Sequence, residues 1–181
     1  MAEEIRFKRS REPALRLPLR ELVNGRYFKP AEQFSPGFVV TEHEFKAFRV
    51  NVWGNVVRKF INDEATFAVL EIDDFTEVMQ LVLFNERVEL ADGVEEGMRV
   101  EAVGKPKQNR EGSIILAAEI VNEIDAAKEL VKRLENLKSL RELKPLNREE
   151  IDAIEAMAGR QENAVEMPEE GNKEPDLFSR C

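Results

Sequence analysis

The stretch from Phe48 to Ile124 constrains this chain more than any other part of it, because five strand-like runs follow one another there. The first is Phe48-Arg-Val-Asn-Val-Trp-Gly-Asn-Val-Val-Arg-Lys-Phe60, and two more run from Thr66 to Ile72 and from Glu77 to Phe84. After a polar, Glu-rich segment ending at Gly97 come Arg99 to Lys105 and Ser113 to Val121. Valine, isoleucine and aromatics dominate these runs. Apolar and polar residues alternate, which is the period of a pleated strand with one dry face.

Five strands around one intervening segment is the content of a small Greek-key barrel of the OB type. The expected fold is therefore mainly β: a five-stranded OB-fold barrel over residues 38–124, with an attachment at each end. Residues 1–37 hold a basic arm, a short helix and a loop packing on the barrel. Residues 125–144 form a long helix for oligomerisation, and 145–181 an acidic flexible linker or tail.

Within the first strand Val50, Val52, Gly54 and Val56 share the core face, and Asn51, Trp53, Asn55 and Val57 the other. Gly54 marks a bulge or sharp coil, which a small barrel needs in order to close. Trp53 has two readings: packing under the N-terminal segment or a partner, or offering its indole to a base. In the next two strands Ala68, Leu70, Ile72, Met79, Leu81 and Leu83 point inward. Phe67 and Phe84 then fall outward, on the face where OB-folds lay oligonucleotides. Aromatics there stack bases at about 1–3 kcal/mol each. The loop Lys105-Pro-Lys-Gln-Asn-Arg110 supplies Lys105, Lys107 and Arg110 as phosphate contacts, or else is a solvated hairpin tip; Arg58 and Lys59 add charge from the first strand.

The charge is divided unevenly. Residues 1–30 carry eight basic and four acidic side chains, and 31–123 carry nine and eighteen. Residues 124–144 carry six and four, and 145–181 four and ten, so the net −9 is a basic start, an acidic barrel and an acidic end. An acidic barrel makes a modest binder of phosphates by itself, because such affinity rests on cations. The basic arm Ile5 to Pro13 reads as extended or disordered, either solvated or held by phosphate or a partner.

Pro18 opens a short helix in which Leu19, Leu22 and Val23 share a face until Asn24-Gly25, suited to plugging one end of the barrel. Tyr27, Phe28 and Phe34 read as packing anchors or as base-stacking residues. His43, between Glu42 and Glu44, invites a metal reading, but neighbours in a strand diverge and the chain has one His. Asp125 caps a helix that Pro145 stops, with Ala127, Leu130, Val131, Leu134, Leu137 and Leu140 as a stripe at 3–4 spacing. At roughly 1.5 Å per residue it is about 30 Å long, more than a small barrel needs for cover, so it seeks other helices. Residues 147–157 make a second, short amphipathic helix.

Cys181 is the single cysteine and has no partner for a disulfide. Neither a signal-like segment nor an apolar run of spanning length is present, so a cytoplasmic protein, away from membranes, is expected. With no nucleophile–base pair, phosphate loop or metal-ligand cluster in view, no enzyme activity, no metal and no cofactor are expected.

The order Val50-Asn-Val-Trp-Gly-Asn-Val-Val-Arg58, then Leu70-Glu-Ile-Asp-Asp-Phe-Thr76, then Gly97-Met-Arg-Val-Glu-Ala-Val-Gly-Lys-Pro-Lys-Gln-Asn109 resembles the middle, OB-fold subunit of replication protein A. The likeness covers roughly residues 40–143, and the N-terminal extension and charge bias resemble the archaeal branch. It implies single-stranded DNA binding within a heterotrimer during replication, repair and recombination. It also implies a three-helix bundle, with two other subunits, built on the helix after Asp125. Phe84 stands nearest the family's stacking aromatic on strand three, whereas the Lys105–Arg110 hairpin lacks the family's second one. A winged-helix domain often follows a flexible linker in that family, and replication or repair proteins would meet the C-terminal region. The alternatives are an OB subunit that binds only proteins, or an RNA-binding module.

Overall fold

The computed structural model describes residues 13–30 and 36–162. The basic arm up to Glu12, Phe34 and the tail from residue 163 lie outside the described residues. The described chain runs β1 (Leu15–Arg16), α1 (Leu19–Val23), β2 (Arg26–Phe28), β3 (Phe38–Val40), β4 (Lys46–Ala47), β5 (Val50–Ile61), β6 (Phe67–Asp73) and β7 (Val78–Phe84). A 3₁₀ helix (Asn85–Ala91) leads to β8 (Arg99–Gln108) and β9 (Ile114–Glu123), followed by α2 (Ala126–Glu142) and α3 (Arg148–Glu162).

The five expected strands are β5 to β9, and they close on themselves. Their order is β5-β6-β7-β9-β8, and β8 returns to pair with β5; β7–β9 is the parallel contact. Closure rests on the length of β5. Its first half, Val50 to Asn55, pairs with β8, and its second half, Asn55 to Ile61, pairs with β6. One strand can serve two neighbours only by coiling sharply, and two features permit it. A Cβ on Gly54 would lie 3.0 Å from the Asp73 carbonyl oxygen and from Ile72 Cβ, so only glycine lets β6 pass so close. The bulge itself falls two residues later than expected, between Val56 and Arg58, and leaves Val57 unpaired and exposed.

The interior is apolar and dry. Val50, Val52, Leu70, Ile72, Leu81, Leu83 and Leu116 are wholly buried, each contributing about 1.5–3 kcal/mol over an exposed placement. Leu17, Leu19 and Leu22 from the short N-terminal helix region join the same core, as a plug for the barrel. Pro18, at the N-cap of α1, has no side chain to cap it. The β6–β7 turn does so from outside: the Leu19 N–H donates to Asp74 Oδ2 at 2.8 Å and the Arg20 N–H to Thr76 Oγ1 at 3.2 Å. The Asp73-Asp74-Phe75-Thr76 turn is thus a clasp between plug and barrel, with Asp74 Oδ1 also accepting from the Thr76 N–H and hydroxyl.

A small sheet, β2-β3-β4, adjoins this barrel. Phe38 and Val40 of β3 bury against Ile154 of α3, with Phe28, Phe48 and Leu146 around them. Asn147 and Glu150 cap α3 reciprocally at 2.9 and 2.8 Å. The helix runs to Glu162, beyond the 147–157 span expected from the sequence, and that capping box secures its start.

Candidate nucleic-acid interface

Strand register decides which side chains meet on the outside of the barrel. Partners in a ladder share a face, so Phe60↔Val69, Val69↔Val82, Val82↔Ala117 and Ala117↔Lys105 form one row across five strands. Beside it, Arg58↔Glu71↔Gln80 forms a second row, with the Gln80 amide donating to Glu71 at 3.0 Å. Lys107, paired with Ile115, lies two residues beyond Lys105 on the same side. Phe67 pairs directly with Phe84 at 5.3 Å between ring centroids, tilted by 41°. The outcome is an apolar and aromatic strip bordered by cations.

The cations differ in how free they are. Arg58, Lys107 and Arg110 form no ion pair among the described residues, and all three are exposed. Lys105 stands 3.7 Å from Glu119, which Arg49 already holds at 2.8 Å. Arg110 sits in the β8–β9 turn, where Asn109 Oδ1 accepts from the N–H groups of Glu111 and Ser113 at 3.0 and 2.9 Å. Two expected site residues lie elsewhere. Lys59 falls on the core side with Leu70, because the bulge turns the strand, and its ammonium donates to the carbonyls of Ala91 (2.6 Å) and Val94 (2.8 Å). Trp53 is 3% exposed, covered by α2, with the Arg133 guanidinium 5.3 Å from its ring and no partner for its indole N–H among the described residues. Neither side chain joins the outer strip. Phe60, 54% exposed at the β5 end of the strip, was not singled out from sequence. Its periodicity becomes readable only after the extra residue at Val57 is allowed for.

The helix α2 docks by its polar side. Lys132 reaches Glu101 at 2.6 Å, Arg99 reaches Glu129 at 2.5 Å, and Arg16 reaches Glu135 at 3.1 Å. Burial opposes ionisation of Glu101, yet hydrogen bonds from Lys132 and Asn51 hold its carboxyl below the usual 4.5. Burial likewise works against the charge on Lys132, and its bonds to Glu101 and Glu135 still raise it above 10.5. The apolar stripe consequently faces away from the barrel: Leu130, Val131, Leu134 and Leu137 are between 51% and 61% exposed, and Ala127 is exposed too. Leu140 departs from the stripe and packs toward the barrel core.

A third cluster lies off both surfaces. Ligand atoms of Glu21, Glu42 and His43 fall within 4.8 Å of one another. His43 Nδ1 meets Glu21 at 2.5 Å, and Arg20 grips both Glu42 oxygens, bringing that carboxyl down to about 2. These groups already bind each other. Glu21, the one buried member, is 22 residues from His43 and gave no local signal in the sequence.

The geometry agrees with what this chain is similar to. Residues 49–124 match the family model tRNA_anti-codon, described as an OB-fold nucleic acid binding domain. The barrel is an OB-fold. Among solved structures, a crystal structure of the S. pombe Stn1-ten1 complex overlays with a TM-score of 0.58 at 15% identity, covering 82% of this chain and 99% of that one. A replication protein A heterotrimer bound to ssDNA overlays with a TM-score of 0.56 at 13% identity, over 71% of this chain and 96% of that one. No curated protein sequence matches the chain.

Proposed function

We propose that this OB-fold protein is the middle subunit of a replication protein A-like heterotrimer, of the archaeal branch, that coats single-stranded DNA in replication, repair and recombination. The observation that carries the reading is the row Phe60, Val69, Val82, Ala117 and Lys105 across the outer face, with the Phe67–Phe84 pair at its side. Rings stack bases without regard to sequence, and Arg58, Lys105, Lys107 and Arg110 neutralise phosphates along the border. Phe84 and Phe67 are the stacking residues, joined by Phe60. The contribution to DNA is modest because the barrel is acidic overall. Through α2 the subunit enters a three-helix bundle with its two partner subunits, using Ala127, Leu130, Val131, Leu134 and Leu137.

Fluorescence anisotropy with labelled oligothymidine, measured across salt on the assembled complex and on the chain alone, tests the DNA role. Phe84→Ala with Lys105→Ala and Lys107→Ala lowers affinity at least about fivefold and flattens the salt slope, since each lost phosphate contact removes about 0.7 from it. Unchanged affinity and slope refute direct contact by this subunit. The exposed stripe on α2 favours one rival, an OB subunit that binds proteins alone, and that result would select it.

A further inference from the structure

We propose that the β2–β4 sheet carries a second stacking surface for single-stranded nucleic acid and that α3 is the acidic cover that closes it. The inference extends the reading of the barrel face as a single-strand binder and concerns different residues. Phe28 and Phe38 lie 5.7 Å apart and only 24° from parallel, and Phe48 follows at 5.1 Å from Phe38. Lys46 Nζ stands 4.4 Å from the Phe38 ring and 5.0 Å from that of Phe48, and the Arg26 guanidinium 5.9 Å from that of Phe28. Three adjoining rings with two cations over them have the composition that stacks bases and meets phosphates.

What lies on this surface is held lightly. Ile154 is the one buried side chain of α3 among the described residues, aided by Leu146 and by the ion pair between Arg26 and Glu155. Residues 148–158 carry Arg148 against Glu149, Glu150, Asp152 and Glu155, a net −3. An acidic helix seated on a cationic aromatic sheet offers it the same sign of charge as the strand it would keep out. A purely structural lid would gain as much from an apolar face and would need no such charge.

The place of the sheet supports a role in binding. The β5–β8 ladder ends at Val50↔Gly104, and from there β8 continues to Gln108 paired with β9. Phe48 immediately precedes Arg49, whose guanidinium holds Glu119, the same carboxylate that Lys105 approaches. A strand that crosses the barrel face and passes Lys105 therefore reaches Phe48 next. With α3 in place that strand stops at Lys105; with α3 displaced it continues over Phe48, Phe38 and Phe28.

The test uses the full chain and oligothymidines of about 8 and about 20 nucleotides, one within and one beyond the usual span of one OB-fold. Ile154→Asp with Glu155→Lys releases α3, and affinity for the longer oligomer rises at least about fivefold while that for the shorter one stays within about twofold. Adding Phe48→Ala abolishes the gain, whereas adding Phe84→Ala lowers short-oligomer binding and leaves the gain. Failure of the barrel face and failure of this proposal are thereby separated. Glu155→Gln alone removes the ion pair to Arg26 and exposes no core side chain, and it raises long-oligomer affinity by a smaller factor. A released variant with unchanged affinity for the longer oligomer, or a gain that survives Phe48→Ala, overturns the proposal. So does a Glu155→Gln chain whose long-oligomer affinity equals that of the wild type.

Discussion

The guanidinium of Arg133 stands 5.3 Å from the ring of Trp53, so the only tryptophan of the chain lies directly beneath α2. An indole at that position reports whether the helix is docked. The docking is electrostatic: Glu101 and Glu129 carry depressed carboxyls despite the burial that opposes it, and Lys132 and Arg99 are their partners across the contact. A carboxyl whose folded value lies below its ordinary 4.5 stabilises the docked state above that pH and ceases to do so as pH falls through the lower value. Lys132, raised above 10.5, supports docking up to that pH and fails only in strong alkali. Trp53 emission is therefore flat from about pH 5 to 10 and shifts to the red as the pH falls below 4.5 through the depressed values of Glu101 and Glu129, before the barrel unfolds by circular dichroism. Glu101→Gln brings part of that red shift to neutral pH. Emission that changes only together with global unfolding would show that these pairs do not govern docking.

Lys59 and Arg58 are adjacent and do different work. The Lys59 ammonium closes the end of the 3₁₀ segment by donating to Ala91 and Val94, and Arg58 is exposed on the outer face. Lys59→Met leaves two carbonyls short of a charged donor and costs about 1–3 kcal/mol, read as a lower urea midpoint with unchanged slope. Its affinity for oligothymidine stays within about twofold. Arg58→Ala gives the reverse, full stability and weaker, less salt-sensitive binding. Loss of binding without loss of stability in Lys59→Met would return that lysine to the interface.

How far the site was legible follows from these two residues. The five strands, their inward faces, the Asp125 cap and the outward Phe67 and Phe84 could be read from period and propensity, because each is a local property. The bulge at Val57 is not local. It answers the need of β5 to pair with both β6 and β8, and it reverses the faces of everything after it in the strand, which exchanges Lys59 for Phe60 in the outer strip. Trp53 alternates onto the outer face as its position predicts. Only the return of a helix some 80 residues later covers it, and no pattern around Val52 or Gly54 announces that. The turn at Asp74 reads as a simple strand end, yet its carboxylate caps a helix 55 residues earlier in the chain.

Phe60 provides the sharpest check on the outer strip, since it entered through geometry alone. It is 54% exposed, so Phe60→Ala changes stability by less than about 0.5 kcal/mol, as surface positions do. If it stacks a base, the same substitution lowers oligothymidine affinity by about 1 kcal/mol or more, and Phe60→Trp restores or exceeds the original value. Wild-type affinity in Phe60→Ala, with a loss in Phe84→Ala, would confine stacking to the Phe67–Phe84 end of the strip.

The apolar face of α2 yields the prediction with the widest reach. Ala127, Leu130, Leu134 and Leu137 alternate at spacings of three and four, the repeat of a helix seam, and among the described residues they cover nothing. On the proposed function, this helix, docked by ion pairs with its leucines outward, is the surface that meets the partner subunits. Leu134→Asp with Leu137→Asp accordingly leaves the thermal midpoint of the isolated chain within about 2 °C, because neither side chain is buried there. In the presence of the partner subunits the same pair of changes abolishes co-purification, each aspartate placing a charge in a seam that must dehydrate. Leu140→Asp separates the two roles. Leu140 packs toward the core, so its substitution destabilises the isolated chain as well. A heterotrimer that survives Leu134→Asp with Leu137→Asp would place the assembly surface elsewhere on the molecule.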